Sequence, residues 1–186
     1  MSATETELYN DDNDGGFDVT DEVDVGDLST QQGSDVIDPQ KQVRFEIRKA
    51  SVRDYTKRDE TEWRKKFLAL DLVVTSDGVD GEGKYANKHF FTDLLLVANT
   101  TSFPELDTDH YKTKARFDFK TFLKAMGFDP AKPPRINDDF LTGLVERNVI
   151  ADIQKKEIQN PPSEQGGKWI GTGEYKNEVR NFRAAE

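Results

Sequence analysis

Between Gln42 and Arg53, Val43, Phe45 and Ile47 alternate with Arg44, Glu46 and Arg48, a period of two that predicts a strand with one buried face. A polar stretch follows from Asp54 to Glu62. Trp63 to Thr75 then sets Leu68, Leu70, Leu72 and Val74 on one parity, the mark of a second strand. Ser76 to Gly83 is dense in Gly and Asp, which tolerate positive φ, and it leads straight into a third apolar run from Lys84 to Val97. Strands two and three are therefore expected to form a hairpin. A sheet interior needs large apolar side chains, so Phe67, Phe90 and Phe91 are assigned to the core.

The period then changes. Phe119, Phe122, Leu123 and Met126 fall at i, i+3, i+4 and i+7, one face of a helix from about Asp118 to Met126. Gly127 stands where a C-terminal glycine cap belongs, and Pro130 forbids continuation. Asp138 or Asp139 is expected to cap a further short helical turn carrying Phe140, Leu141 and Leu144. Val149, Ala151 and Ile153 restore alternation as strand four, through about Ile158, until Asn160-Pro161-Pro162 breaks it. Gly166-Gly167 prolongs the loop, and Lys168 to Phe182 supplies strand five. The order strand, strand, strand, helix, strand, strand predicts a mainly β chain: a five-stranded OB-like Greek-key barrel with one helix between strands three and four. A generic antiparallel sheet with helices on one face has a similar order.

Charge divides the chain in two. Twelve carboxylates, from Glu5 to Asp38, precede the first basic residue, Lys41. Beyond that point 24 of the 36 acidic residues face all 26 Lys and Arg, so residues 41–186 are slightly basic although the whole chain carries −10. Residues 1–40 scatter Leu8, Tyr9, Phe17, Val19 and Val23 among Asp, Gly, Ser and Thr. That is too little apolar surface to offset an ordering cost of roughly 1–2 kcal/mol per residue, and a disordered acidic tail is expected there. Residues 41–186 are expected to form one domain.

Several chemistries fall away. Cysteine is absent, and His89 and His110 are too few for a histidine-rich site, so no metal and no cofactor is expected. The N-terminus is acidic where a secretory signal has a basic start and an apolar run, and no stretch approaches the roughly 18 apolar residues of a span. A soluble, cytoplasmic protein without a membrane partner is the expectation. Gly78 to Lys84 has the spacing of a phosphate-binding loop, but Tyr85 replaces the Ser or Thr that would bind Mg²⁺ and a strand follows in place of a helix. Asp11 to Glu22 imitates a calcium loop, with Gly15 at a ligand position and no flanking amphipathic helices. No Ser or His stands in a nucleophile setting, and no enzyme is expected.

OB barrels bind oligonucleotides on the face of strands two and three and with the loops joining strands one to two and four to five. Basic and aromatic residues concentrate there. Arg44 and Arg48 lie on strand one, Tyr55, Lys57 and Arg58 in the first loop, and Trp63, Arg64, Lys65 and Lys66 at its end. Lys84, Tyr85 and Lys88 open strand three. Lys168 and Trp169 occupy the second loop, followed by Tyr175, Lys176 and Arg180. Unpaired bases stack on such aromatics while Lys and Arg neutralise phosphates, which points to single strands. The helix, with Asp118, Lys120, Thr121 and Lys124 mixed, offers no basic face to a major groove. Residue by residue, each aromatic has a packing role as its plainer reading, and the run Arg64-Lys65-Lys66 reads as solvated surface.

This element order over about residues 41–183, the helix Phe119 to Phe128 and the closing stretch Gly173 to Phe182 resemble phage-type OB-fold single-stranded DNA-binding proteins. The resemblance implies non-catalytic, sequence-tolerant coating of single-stranded DNA in bacteriophage replication or recombination, in the host cytoplasm. It also implies replication or recombination proteins as partners, with a homo-oligomer left open. Bacterial and many phage single-strand binders carry their acidic tail at the C-terminus, whereas here the acidic segment comes first. The competing expectation is a structural or protein-interaction module, such as a virion component or replication adaptor, without nucleic-acid binding. A third is a DNA mimic acting through the acidic segment. Beside a basic groove, that segment with Tyr9 and Phe17 is a candidate competitor for nucleic acid.

Overall fold

The alternation that begins at Val43 buries Val43, Phe45 and Ile47 completely on the inner side of β1 (Gln40–Tyr55). The computed structural model describes residues 36–75, 85–114, 116–160 and 170–185. At Arg48 the period breaks: Ile47 lies opposite Leu72 on β2 (Lys65–Val74), but the next pair is Lys49 with Asp71, so Arg48 is the extra residue of a β-bulge. The inner parity passes from Ile47 to Ala50 and Val52. The bulge bends β1 so that its first half pairs with β4 (Asn148–Asn160) and its second half with β2 alone. One strand thereby serves two neighbours.

β2 turns Leu68, Leu70, Leu72 and Val74 inward, and β3 (His89–Ala98) adds Phe90, Leu94 and Leu96. Phe45 and Phe90 meet edge to face at 5.7 Å. β4 contributes Val149, Ala151 and Ile153, and β5 (Ile170–Ala184) contributes Val179 and Phe182. The change of parity between those last two follows from Asn181, whose φ of 59° marks a second bulge. The five strands form one antiparallel sheet in the order β3-β2-β1-β4-β5. β3 and β5 approach each other, but no ladder joins them among the described residues, so the sheet is barrel-like and open.

The connection from β3 to β4 holds a 3₁₀ turn at Pro104–Leu106, a π-type turn at His110–Lys114 and two helices, α1 (Phe117–Ala125) and α2 (Asp138–Leu144). α1 inserts Phe119, Phe122 and Leu123 into the core and sets Phe122 against Phe182 at 5.4 Å. It ends as the sequence predicts: Gly127 adopts φ of 82° and donates to Lys124 C=O at 3.0 Å, while Phe128 N–H donates to Leu123 C=O at 2.9 Å. The one helix of the OB-like plan is corrected to two, the second being the short helical turn expected at Phe140, Leu141 and Leu144. The cap of α2 is also corrected, because Asn137 in extended conformation accepts from Phe140 N–H at 3.0 Å, while Asp138 and Asp139 form the first turn.

Asp152 ties together two irregularities of the sheet, the register shift between Gln40 and Val43 on β1 and the bulge at Asn181 on β5. It is only 7% exposed and accepts from Gln42 N–H, Asn181 Nδ2 and both terminal nitrogens of Arg183, at 2.9–3.0 Å. Gln42 and Asn181 both have positive φ, 58° and 59°, so the carboxylate satisfies backbone and side chain where the chain is left-handed. Burial alone would raise its pKa, but Arg183, Gln42 and Asn181 outweigh that and bring it down to about 2.

No helix among the described residues is long and apolar enough to cross a membrane. The acidic residues 1–35, the Gly-rich stretch 76–84 and the loop 161–169 lie outside the described residues, and with them the calcium-like and phosphate-like motifs.

Candidate nucleic-acid interface

Cross-strand register builds a patterned outer face on β1, β2 and β3. Tyr55 pairs with Lys65, then Arg53 with Phe67 and Leu95, Ser51 with Ala69 and Asp93, and Lys49 with Asp71 and Phe91. Successive rows stand about 7 Å apart, two residues of strand rise. Phe91 is 44% exposed and Phe67 half-buried, which corrects their assignment to the core; of the three phenylalanines only Phe90 lies there. The adjacent pair Phe90-Phe91 must split across the sheet, and the hairpin register decides which ring turns out.

Lys65 joins this face to the helical connection. Its ammonium donates to Tyr111 Oη at 2.8 Å and sits 4.4 Å from the Tyr111 ring centroid and 5.8 Å from that of Tyr55. Lys66, of opposite parity, lies 4.8 Å from the ring of half-buried Trp63. Lys57 and Arg58 are exposed in the first loop.

Arg64 is no surface cation. It is 7% exposed, its guanidinium is held between Glu60 and Glu105, and it lies 4.3 Å over the ring of Phe103. Its backbone donates to Tyr55 C=O at 2.7 Å and accepts from Asn99 N–H at 2.8 Å. The residue fixes the first loop against the end of β3, and that corrects its reading as a phosphate contact. Glu60 is one helical turn back in sequence, but Glu105 is brought in only by the fold.

At the other side of the face, Arg53 lies 3.8 Å from Asp93, whose carboxyl pKa burial raises despite the opposing pull of Arg53 and Lys176. Lys176 thus stands across the open seam between β3 and β5. It also approaches Glu178 at 3.5 Å, and Glu178 serves Lys156 at 3.1 Å and Arg180 at 2.9 Å. Burial pushes the Glu178 pKa up, but Arg180 and Lys156 outweigh it and hold the group below the usual range. Arg180 continues to Asp118 on α1 at 2.7 Å, next to Phe117, whose ring is exposed. Two ion-paired groups thus face each other across the seam, Arg53 with Asp93 on one side and Lys176, Glu178, Arg180 and Asp118 on the other.

The remaining candidates divide. Arg44 and Arg48 sit at the opposite end of β1, Arg48 paired with Glu46 at 3.0 Å and the Arg44 carbonyl accepting from Thr75 N–H. Tyr85 packs against the core cluster, and Lys88 N–H donates to Tyr85 C=O in the turn entering β3. Tyr175 is exposed on β5 beneath Lys155. Lys84, Lys168 and Trp169 lie outside the described residues. Sequence reasoning missed Lys49, Arg53 and Tyr111; alternation beyond the bulge carried the signal for the first two, and Tyr111 carried none. No group of three or more His, Asp and Glu among the described residues is placed to hold a metal ion.

No protein-family model matches the chain. It is similar to the chaperone protein HtpG of Actinobacillus succinogenes, 33% identical over 86 residues that make up 44% of this chain. Since the chain spans only 13% of that chaperone's length, the match assigns it neither a family nor an activity.

Proposed function

We propose that this chain is a non-catalytic, sequence-tolerant single-stranded DNA-binding protein of replication or recombination, built on an OB-like barrel. The barrel reading is supported by the antiparallel order β3-β2-β1-β4-β5, by a bent β1 shared between β2 and β4, and by β3 lying beside β5. α1, packed against β5 and β3 in the connection between strands three and four, agrees with it.

The observation that carries the function is the outer face. Phe67 and Phe91 stand in the same cross-strand rows as Arg53 and Lys49, with Tyr55, Lys65 and Tyr111 at one end. Bases stack on the rings at roughly 1–3 kcal/mol each, and the cations between them exchange Asp93, Glu178 and Asp118 for phosphate oxygens. Such contacts read backbone and π-face, not base edges, hence the tolerance of sequence.

Anisotropy of a labelled oligo(dT) titrated with the full chain tests this. Binding at low salt should weaken with added salt at a log-log slope of about −0.7 per phosphate neutralised. Absence of binding at low salt would instead favour the interaction-module reading, to which the paired charges of the same face are equally suited.

A further inference from the structure

Phe117 is 57% exposed and belongs neither to the core nor to the β1–β3 face. A single exposed ring is ordinary on a protein surface, so its surroundings have to carry any argument. Phe117 opens α1 roughly 200° of helical turn from Phe119, and burying Phe119, Phe122 and Leu123 therefore aims it away from the core. Half-buried Lys120 and exposed Lys124 follow at i+3 and i+7 on the same side of the helix.

The other flank of the ring is also cationic. Asp118, the next residue, is held by Arg180 at 2.7 Å, and the same guanidinium takes Glu178 at 2.9 Å. Lys156 and Lys176 draw on that Glu178 as well. Asp118 and Glu178 are thus set against Lys120, Lys124, Lys156, Lys176 and Arg180, while Arg53 and Asp93 balance each other across the seam. The surplus is positive, and it surrounds one aromatic ring.

That combination selects the ligand. An apolar protein partner needs further apolar side chains beside Phe117, and α1 places Lys120, Thr121 and Lys124 there instead. A single strand needs a ring for a base and cations for the phosphates on either side of it. The β1–β3 face also leads to this place. Phe91 and Asp93 stand in successive rows about 7 Å apart, Lys176 lies across the seam from Asp93, and Arg180 joins β5 to α1 at the foot of Phe117.

We propose that Phe117 is a second stacking platform, on which one base of a bound single strand lies while Arg180, Lys120 and Lys124 take the neighbouring phosphates. The strand then crosses the seam from the β1–β3 face onto α1, and Arg180 exchanges Asp118 for a phosphate oxygen. This subsite rests on the single-strand reading of the face and lengthens it.

Full-length Phe117→Ala, Phe117→Tyr and Phe91→Ala proteins are compared with the parent by anisotropy of labelled oligo(dT) at low salt, with urea midpoints measured alongside. Loss of one stacked base should weaken Phe117→Ala about tenfold. Phe117→Tyr keeps the ring and should bind as the parent does, and neither midpoint should move, because the side chain is exposed. Parent affinity in Phe117→Ala, with Phe91→Ala weakened, overturns the subsite and leaves the face as the binding surface. Parent affinity in Phe117→Ala with an altered sedimentation coefficient overturns it too, and assigns the ring to a protein contact. Oligo(dT) left unbound by the parent ends the single-strand reading, and the subsite with it.

Discussion

Replacing Asp152 with Asn tests how the sheet holds β1 and β5 against β4. The carboxylate's pKa lies at about 2 in the folded chain against an ordinary 3.8, because Arg183, Gln42 N–H and Asn181 outweigh burial. A depressed carboxylate contributes stability that is fully present above its unfolded pKa and is lost as pH falls through the folded value. The lowering from 3.8 to about 2 corresponds to about 2 kcal/mol, of which added salt trims the Arg183 share, since that side chain is half-exposed. Asn retains one acceptor for Gln42 but turns an N–H₂ toward Asn181 and Arg183, which already donate. Urea unfolding of both proteins between about pH 7 and about pH 2 should give a deficit of ~2 kcal/mol at neutral pH that closes toward the acid end. A deficit that stays constant with pH, or is absent at neutral pH, would refute the reasoning.

Three further outcomes follow from the face and its surroundings. Phe91→Ala should weaken oligo(dT) binding by ~1–3 kcal/mol, read by anisotropy, while leaving the urea midpoint nearly unchanged, because the ring is exposed. Asp93→Asn removes the anion competing with phosphate for Arg53 and Lys176, so affinity should rise about two- to fivefold, the scale of a surface ion pair. In the parent protein the same tightening should develop as pH falls toward the raised Asp93 pKa, and a pH series on the variant should lack it. Gly127→Ala should cost about 1 kcal/mol in urea unfolding through backbone strain alone, since φ is 82° and nothing lies within 4 Å of an added Cβ.

Strands with clean alternation were legible: Val43 to Ile47, Leu68 to Val74 and Val149 to Ile153 turn inward as their period demands. The glycine cap of α1 was equally plain. The inner parity of β3 was not, because Phe90-Phe91 and Leu94 to Val97 are continuous apolar runs that either register would satisfy. Leu95 is nearly as buried as Leu94, yet it points to the other face. The bulge at Arg48 leaves no trace in composition, and without it Lys49 and Arg53 look like ordinary alternation. Arg64 shows the limit for the site: Lys65 and Lys66 follow it in sequence, but one of the two carboxylates that hold it, Glu105, lies 41 residues away. Asp152 reads as a solvent-facing member of a strand and is instead enclosed by two irregularities no local pattern announces.

Backbone amide shifts of the isotopically labelled full chain, followed as oligo(dT) is added at low salt, test the central claim most directly. The largest changes are expected at Lys49, Arg53, Phe67, Phe91 and Lys176, along the rows of the outer face and its seam, with α2 (Asp138–Leu144) silent. Shifts absent at saturating oligonucleotide, or gathered on α2 and away from that face, would contradict it.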